Sequence, residues 1–180
     1  MLQEWLEKFY KRKDVHKNED GSYDVDGSVD LRSMMLDKLP LKFNKVGGSF
    51  YCNNNKLTTL GGAPTSVSGD FICSHNNLST LEGAPTSVSG SFWCHDNKLT
   101  TLEGAPKSVD GTFWCAYNKL TTLEGAPTSV GGNFECYRNK LTSLEGAPKS
   151  VGVSFLCDNK KKFTKEDVRA VSDVKGDIYV

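Results

Sequence analysis

Six cysteines, Cys52, Cys73, Cys94, Cys115, Cys136 and Cys157, stand 21 residues apart. A thiol acts as nucleophile, redox group or metal ligand where it is accessible and suitably paired. The constant interval argues for another role: side chains recurring once per coil on neighbouring strands point into one core, where reduced cysteine behaves as a small apolar residue. Adjacent strands about 4.8 Å apart bring such thiols near one another, but a reducing compartment keeps them reduced. There is no C-x-x-C, and His16, His75 and His95 form no ligand cluster in the chain. His95 beside Asp96 has the types needed for acid–base work, yet neighbours on a strand face opposite sides and no Ser or Cys nucleophile is tied to them by pattern. Asp24-Val25-Asp26-Gly27 is acidic and turn-like, but too short for a calcium loop with six or more oxygen ligands. The expectation is a protein without catalytic, metal or cofactor residues, and not an enzyme.

The informative column lies between Phe and Cys of each unit: Tyr51, Ile72, Trp93, Trp114, Glu135 and Leu156. If Phe and Cys point inward, these point out, where the coil's interior does not need large apolar groups. Five strand intervals make the row about 24 Å long, with Trp93 and Trp114 adjacent at its centre. Flanking outward positions add Asn53, Asp70, Ser74, His95, Thr112, Ala116, Asn133, Tyr137 and Asp158. An aromatic centre with a mixed polar rim is the composition of an interface hot spot. The competing reading is cross-strand packing that only stiffens the sheet.

The element that must position this column is a repeat. Phe50, Phe71, Phe92, Phe113, Phe134 and Phe155 keep the 21-residue interval, as do columns headed by Asn55, Leu57, Leu60, Pro64 and Val67, and such a period means stacked supersecondary units. The unit reads V-x-G-x-F-x-C-x-x-N-x-L-x-x-L-x-G-A-P-x-S. Phe and Cys two apart make a short strand, and the Asn three residues on can bond to backbone exposed by the bend, forming a ladder. The two Leu positions keep the returning arc packed inward, and Gly-Ala-Pro makes a tight corner. One coil cannot bury its apolar side alone, so stability depends on its neighbours.

The Asn-x-Leu-x-x-Leu run after a short strand resembles the leucine-rich repeat, with Phe and Cys in the usual leucine strand positions and Val67 one residue earlier than the usual first leucine. Units such as Leu81-Glu-Gly-Ala-Pro-Thr-Ser-Val-Ser-Gly-Ser-Phe92 look like the short-period repeat proteins encoded by tailed bacteriophages and some bacteria. The similarity runs from Gly27 to the segment Phe163 through Asp167. It implies the fold and, if the phage context holds, a host protein or another phage protein as partner.

Stepping one period back from Val46 gives a divergent first coil with Val25, Gly27, Val29 and Leu31, then Leu36 and Leu39, with Met34 in the Asn column and Phe43 in the Pro column. Leu2, Trp5, Leu6 and Phe9 form the stripe of a short amphipathic helix, folding over that coil or serving as a docking or dimerisation surface. Asn18 to Asp26 reads as a polar connector. Thr164 with Asp167 makes a capping box for a helix through about Val171, and Val174 to Val180 repeats the strand pattern. The predicted fold is an α/β solenoid, a leucine-rich-repeat-like stack of parallel short strands with 21-residue coils, a helical N-terminal cap and a C-terminal helix plus strand. Its single domain over 1–180 divides into an N-terminal capping helix at 1–16, the divergent coil at 25–45, regular repeats at 46–163 and a C-terminal cap at 164–180. Eight strands are expected near residues 30, 51, 72, 93, 114, 135, 156 and 179, and Lys160 marks where the Asn ladder stops.

Lys plus Arg and Asp plus Glu both total 22, which removes any bulk electrostatic attraction to nucleic acid or anionic membrane. No apolar run approaches the roughly 20 residues of a membrane span, and Met1 to His16 is charged throughout, unlike a secretory leader. A cytoplasmic chain follows, in the host cytoplasm if phage-encoded. The lines Lys56, Lys98, Lys119, Lys140 and Glu82, Glu103, Glu124, Glu145 read as solvated edges. The expected function is non-enzymatic protein binding through Tyr51, Ile72, Trp93, His95, Trp114, Glu135, Tyr137 and Leu156. Homo-oligomerisation, structural self-assembly, or carbohydrate binding through the same face are alternatives. A nucleic-acid platform is disfavoured because the face carries Asp70, Glu135 and Asp158 and no lysine.

Overall fold

The computed structural model describes residues 1–157 and 162–180. Asp158 on the expected rim and Lys160 at the expected end of the ladder lie outside them. The chain forms an α/β solenoid whose coils repeat every 21 residues through the regular part.

Each regular coil contributes two residues, Phe and its successor, to a parallel sheet. Its eight strands run Val29–Asp30, Phe50–Tyr51, Phe71–Ile72, Phe92–Trp93, Phe113–Trp114, Phe134–Glu135, Phe155–Leu156 and Ile178–Tyr179. Register is strict, Phe beside Phe and Trp114 between Trp93 and Glu135. The six phenylalanines from Phe50 to Phe155 are fully buried and their rings stack 5.1 to 5.8 Å apart along the axis. Burying one such ring stabilises by roughly 1.5–3 kcal/mol. The cysteines line the same core, all buried and free. Burial raises the thiol pKa of Cys52, Cys73, Cys94, Cys115 and Cys136, because a thiolate there would be poorly solvated.

The asparagine ladder forms as expected. In the central coils the Asn118 Nδ2 donates to the Cys115 and Cys94 carbonyls, both at 3.1 Å, and its Oδ1 accepts from the Leu99 amide at 3.0 Å. One side chain thereby satisfies backbone groups in two coils where water has no access. At the Gly-Ala-Pro corner Gly104 has φ +92°, and a Cβ there would meet the Leu81 carbonyl oxygen at 2.5 Å.

A second sheet, not foreseen from the pattern, carries the Val column. Strands such as Ser66–Val67, Ser87–Val88 and Ser108–Val109 pair in parallel from Phe43–Val46 to Asp173–Val174. Only one inward residue per strand marks it, too little for alternation to reveal.

The N-terminal helix α1, Leu2–Phe9, folds over the first coil. Phe9 packs edge-on to Phe43 and Tyr23, and the Trp5 indole N–H donates to the Asp30 carbonyl at 2.7 Å. The helix stops at Phe9 instead of filling 1–16, because the apolar stripe ends there and Arg12 turns back to Asp14 at 2.6 Å and to the Ser28 carbonyl at 2.9 Å. Val15–Lys17 (β1) and Tyr23–Val25 (β2) then form an antiparallel hairpin where a connector was expected. Its turn uses Gly21 at φ +79°, and β2 joins the Val sheet beside Phe43–Val46. At the other end Thr164 and Asp167 form the expected reciprocal cap, and helix α2 spans Lys165–Val171 with Val168 buried. No described helix is long and apolar enough to cross a membrane.

Candidate functional site

The outer face of the Phe sheet carries the row read from the sequence, and it is less free than expected. Tyr51, Trp93, Trp114, Glu135 and Leu156 are half-buried, and Ile72 is only 9% exposed. Trp93 and Trp114 meet edge to face, centroids 5.5 Å apart at 78°. Beneath them the residues following Cys are covered: Ser74, His95 and Ala116 are buried. The small Ser and Ala on either side leave room for the imidazole, which stacks on the Trp114 indole. Sheet stiffening and surface display therefore coexist in the same rings.

The flank before Phe is not a free polar rim either. Asp70 Oδ1 accepts from the Ser91 amide at 2.8 Å, Ser91 Oγ from the Thr112 amide at 3.1 Å, and Thr112 Oγ1 from the Asn133 amide at 3.2 Å. These side chains form a second ladder between coils, a structural task that the sequence pattern did not disclose.

The position two after Cys is in the left-handed region in five successive coils: Asn54, His75, Asp96, Tyr117 and Arg138 have φ of 52° to 56°. Asn, Asp and His tolerate that conformation best. Its periodicity makes it part of the bend rather than a local strain. The bend also overturns the expectation that His95 and Asp96 face apart. Asp96 Oδ2 lies 2.8 Å from His95 Nδ1 and 3.9 Å from His75 Nε2, and the two imidazoles meet edge-on with centroids 5.1 Å apart. Three residues from two successive coils form one cluster. Its sequence signal is the shared offset from the ladder Asn, with consecutive coils supplying His75 and Asp96.

Burial lowers the His95 pKa, opposed by its hydrogen bond to Asp96, so the neutral ring is favoured at neutral pH. Burial and the nearby Glu135 carboxylate raise the Tyr137 phenol. The Trp114 N–H favours the phenolate without reaching hydrogen-bond geometry. The buried Trp93 indole N–H has no acceptor among the described residues.

A shallow depression of about 390 Å³ opens over this face between Tyr51 and Trp114, floored by Ile72 and Ser74 and edged by His75 and Arg32. Arg32 sits over the Tyr51 ring at 4.9 Å, held by Asp30 at 2.6 Å. Beyond Trp114 the row continues as Tyr137 against Tyr117, an edge-to-face pair at 5.5 Å in which Tyr117 is 46% exposed. Arg32, His75, Asp96 and Tyr117 are thus face residues that the column between Phe and Cys did not include. The Lys56 and Glu82 columns are exposed, as expected of solvated edges.

No family model matches the chain, and no curated protein or solved structure matches it either.

Proposed function

We propose that this protein is a non-catalytic binding module whose aromatic sheet face receives a segment of another protein. The observation that carries the reading is one row, half-buried Tyr51, Trp93 and Trp114 with buried Ile72 between them, lining an open depression on a side of the sheet that the coil core does not require, with half-buried Tyr137 beyond Trp114. Large rings already fixed by their neighbours lose little conformational freedom on binding, and Trp and Tyr dominate such contacts.

Chemistry at the face favours binding over catalysis. No hydroxyl or thiol is hydrogen-bonded to His95 among the described residues, so the pair with Asp96 lacks a nucleophile to activate. Glu135 and Asp96 among the rings weigh against a nucleic-acid strand, which needs a basic track beside its stacking platform. The phage context suggested by the repeat type points to a host or phage protein in the host cytoplasm as the partner.

Affinity capture from bacterial lysate with the wild type and with Trp93→Ala/Trp114→Ala tests the reading, at a temperature where circular dichroism shows both folded. A protein retained by the wild type and lost with the variant supports the face. Equal capture by both would remove it. Mass measured against concentration for the two chains separates a foreign partner from a second copy of this chain.

A further inference from the structure

We propose that His75, His95 and Asp96 form a binding site for a zinc-class divalent cation at the edge of the aromatic depression. One donor atom from each residue can be chosen so that all three lie within 4.8 Å of one another, and Asp96 Oδ2 is 2.8 Å from His95 Nδ1 and 3.9 Å from His75 Nε2. A tetrahedral ion with bonds of about 2.0–2.1 Å needs donor atoms about 3.3–3.4 Å apart. The present distances straddle that value. The two more exposed side chains supply the adjustment: His75, 51% exposed, can rotate toward the carboxylate, and Asp96, 37% exposed, can draw back from His95.

The solenoid preorganises the His95 ring and the turns that carry the other two ligands. His95 is 7% exposed and held flat against Trp114, centroids 3.7 Å apart. The His75 amide donates to the His95 carbonyl at 3.1 Å, and the Asp96 amide to the Ala116 carbonyl at 3.1 Å, so both left-handed turns that aim the side chains are pinned to the next coil. Two imidazoles and one carboxylate suit zinc and its transition-metal neighbours, whereas calcium requires six or more oxygens. Three protein ligands leave a fourth position open. His75 and His95 also line the depression, so that position is available to water or to a donor atom from a bound molecule.

The inference is independent of the partner-binding reading, because the ion binds with no partner present. Calorimetric titration of the full chain with Zn²⁺ alone is expected to give one ion per chain. His75→Asn and Asp96→Asn each should weaken it by at least about tenfold. Both replacements suit the backbone, since Asn54 holds the same turn position in the coil before His75 at φ +56°. His16→Ala, remote at the hairpin, should leave binding unchanged. Co²⁺ in place of Zn²⁺ should give visible bands of four-coordinate nitrogen and oxygen ligation without a thiolate charge-transfer band. Absence of binding, equal binding by the wild type and the Asn variants, or a thiolate band would each overturn the site.

Discussion

The His95 imidazole lies against the Trp114 indole, with centroids 3.7 Å apart and planes inclined by 27°. A residue expected at the rim of the face is thus roofed by its central ring, and the ring is held by what it covers. Trp114→Ala should therefore destabilise the chain by roughly 1–3 kcal/mol, less than a fully enclosed aromatic because the indole is only half-buried. Thermal unfolding followed by circular dichroism should show a drop of several degrees. An unchanged midpoint would mean that the ring stands free of the sheet.

Asn118 carries one rung of the inner ladder. Asn118→Ala leaves the Leu99 amide without its partner, while the Cys94 and Cys115 carbonyls keep the side-chain amides of Asn97 and Asn139, at a cost of roughly 1–3 kcal/mol. Asn118→Asp keeps the acceptor but loses the donor and adds a buried charge, so it should be no better. Urea unfolding of the three chains measures this, and a variant as stable as the wild type would show that the rung is dispensable.

A corner glycine and a hairpin glycine, both at positive φ, differ in what limits them. At Gly104 a side chain is opposed both by the φ of +92° and by the Leu81 carbonyl oxygen, 2.5 Å from where a Cβ would sit, while at Gly21, φ +79°, nothing lies within 4 Å. Gly104→Ala should cost roughly 3–4 kcal/mol, adding displacement of backbone to conformational strain. Gly21→Ala should cost only about 1–2 kcal/mol, the conformational part alone. Equal losses of melting temperature would contradict the close approach between coils.

Asp14 makes the N-terminal cap acid-sensitive. Its hydrogen bonds from Arg12 hold its carboxyl down at about 2. The folded state therefore favours the carboxylate, and the stability it adds is present above the unfolded value of about 4 and lost as pH falls from about 4 to about 2. Asp14→Asn should melt below the wild type at pH 5, with the gap closing by pH 2. A gap that persists at pH 2 would show that the carboxylate charge is not its source.

Much of this was legible because each repeated column has a single physical task. Phe50 and Cys52 at a two-residue spacing marked a strand, Asn55 three residues later marked its bend, and Thr164 with Asp167 marked a helix start. The Val67 strand was not legible, since a two-residue strand with one inward side chain has no alternation to read. The hairpin had a usable signal in Glu19-Asp20-Gly21 between the alternating Val15–Lys17 and Tyr23–Val25, but polarity made it look like a connector. The aromatic row was legible as outward, whereas its half-burial depends on His95, Ser74 and Ala116 fitting beneath the rings. The meeting of His75 and His95 with Asp96 arises from left-handed turns in successive coils, a tertiary consequence that strand alternation at His95 and Asp96 does not reveal.

The most direct test of the face is the fluorescence of its own indoles. The chain has three tryptophans, so Trp5→Phe leaves Trp93 and Trp114 as the emitters. When a protein captured by the wild type is added, and that protein's own emission is subtracted, their emission should shift to shorter wavelength and become harder to quench with acrylamide. Binding that leaves both the emission and the quenching of these two indoles unchanged would contradict the account.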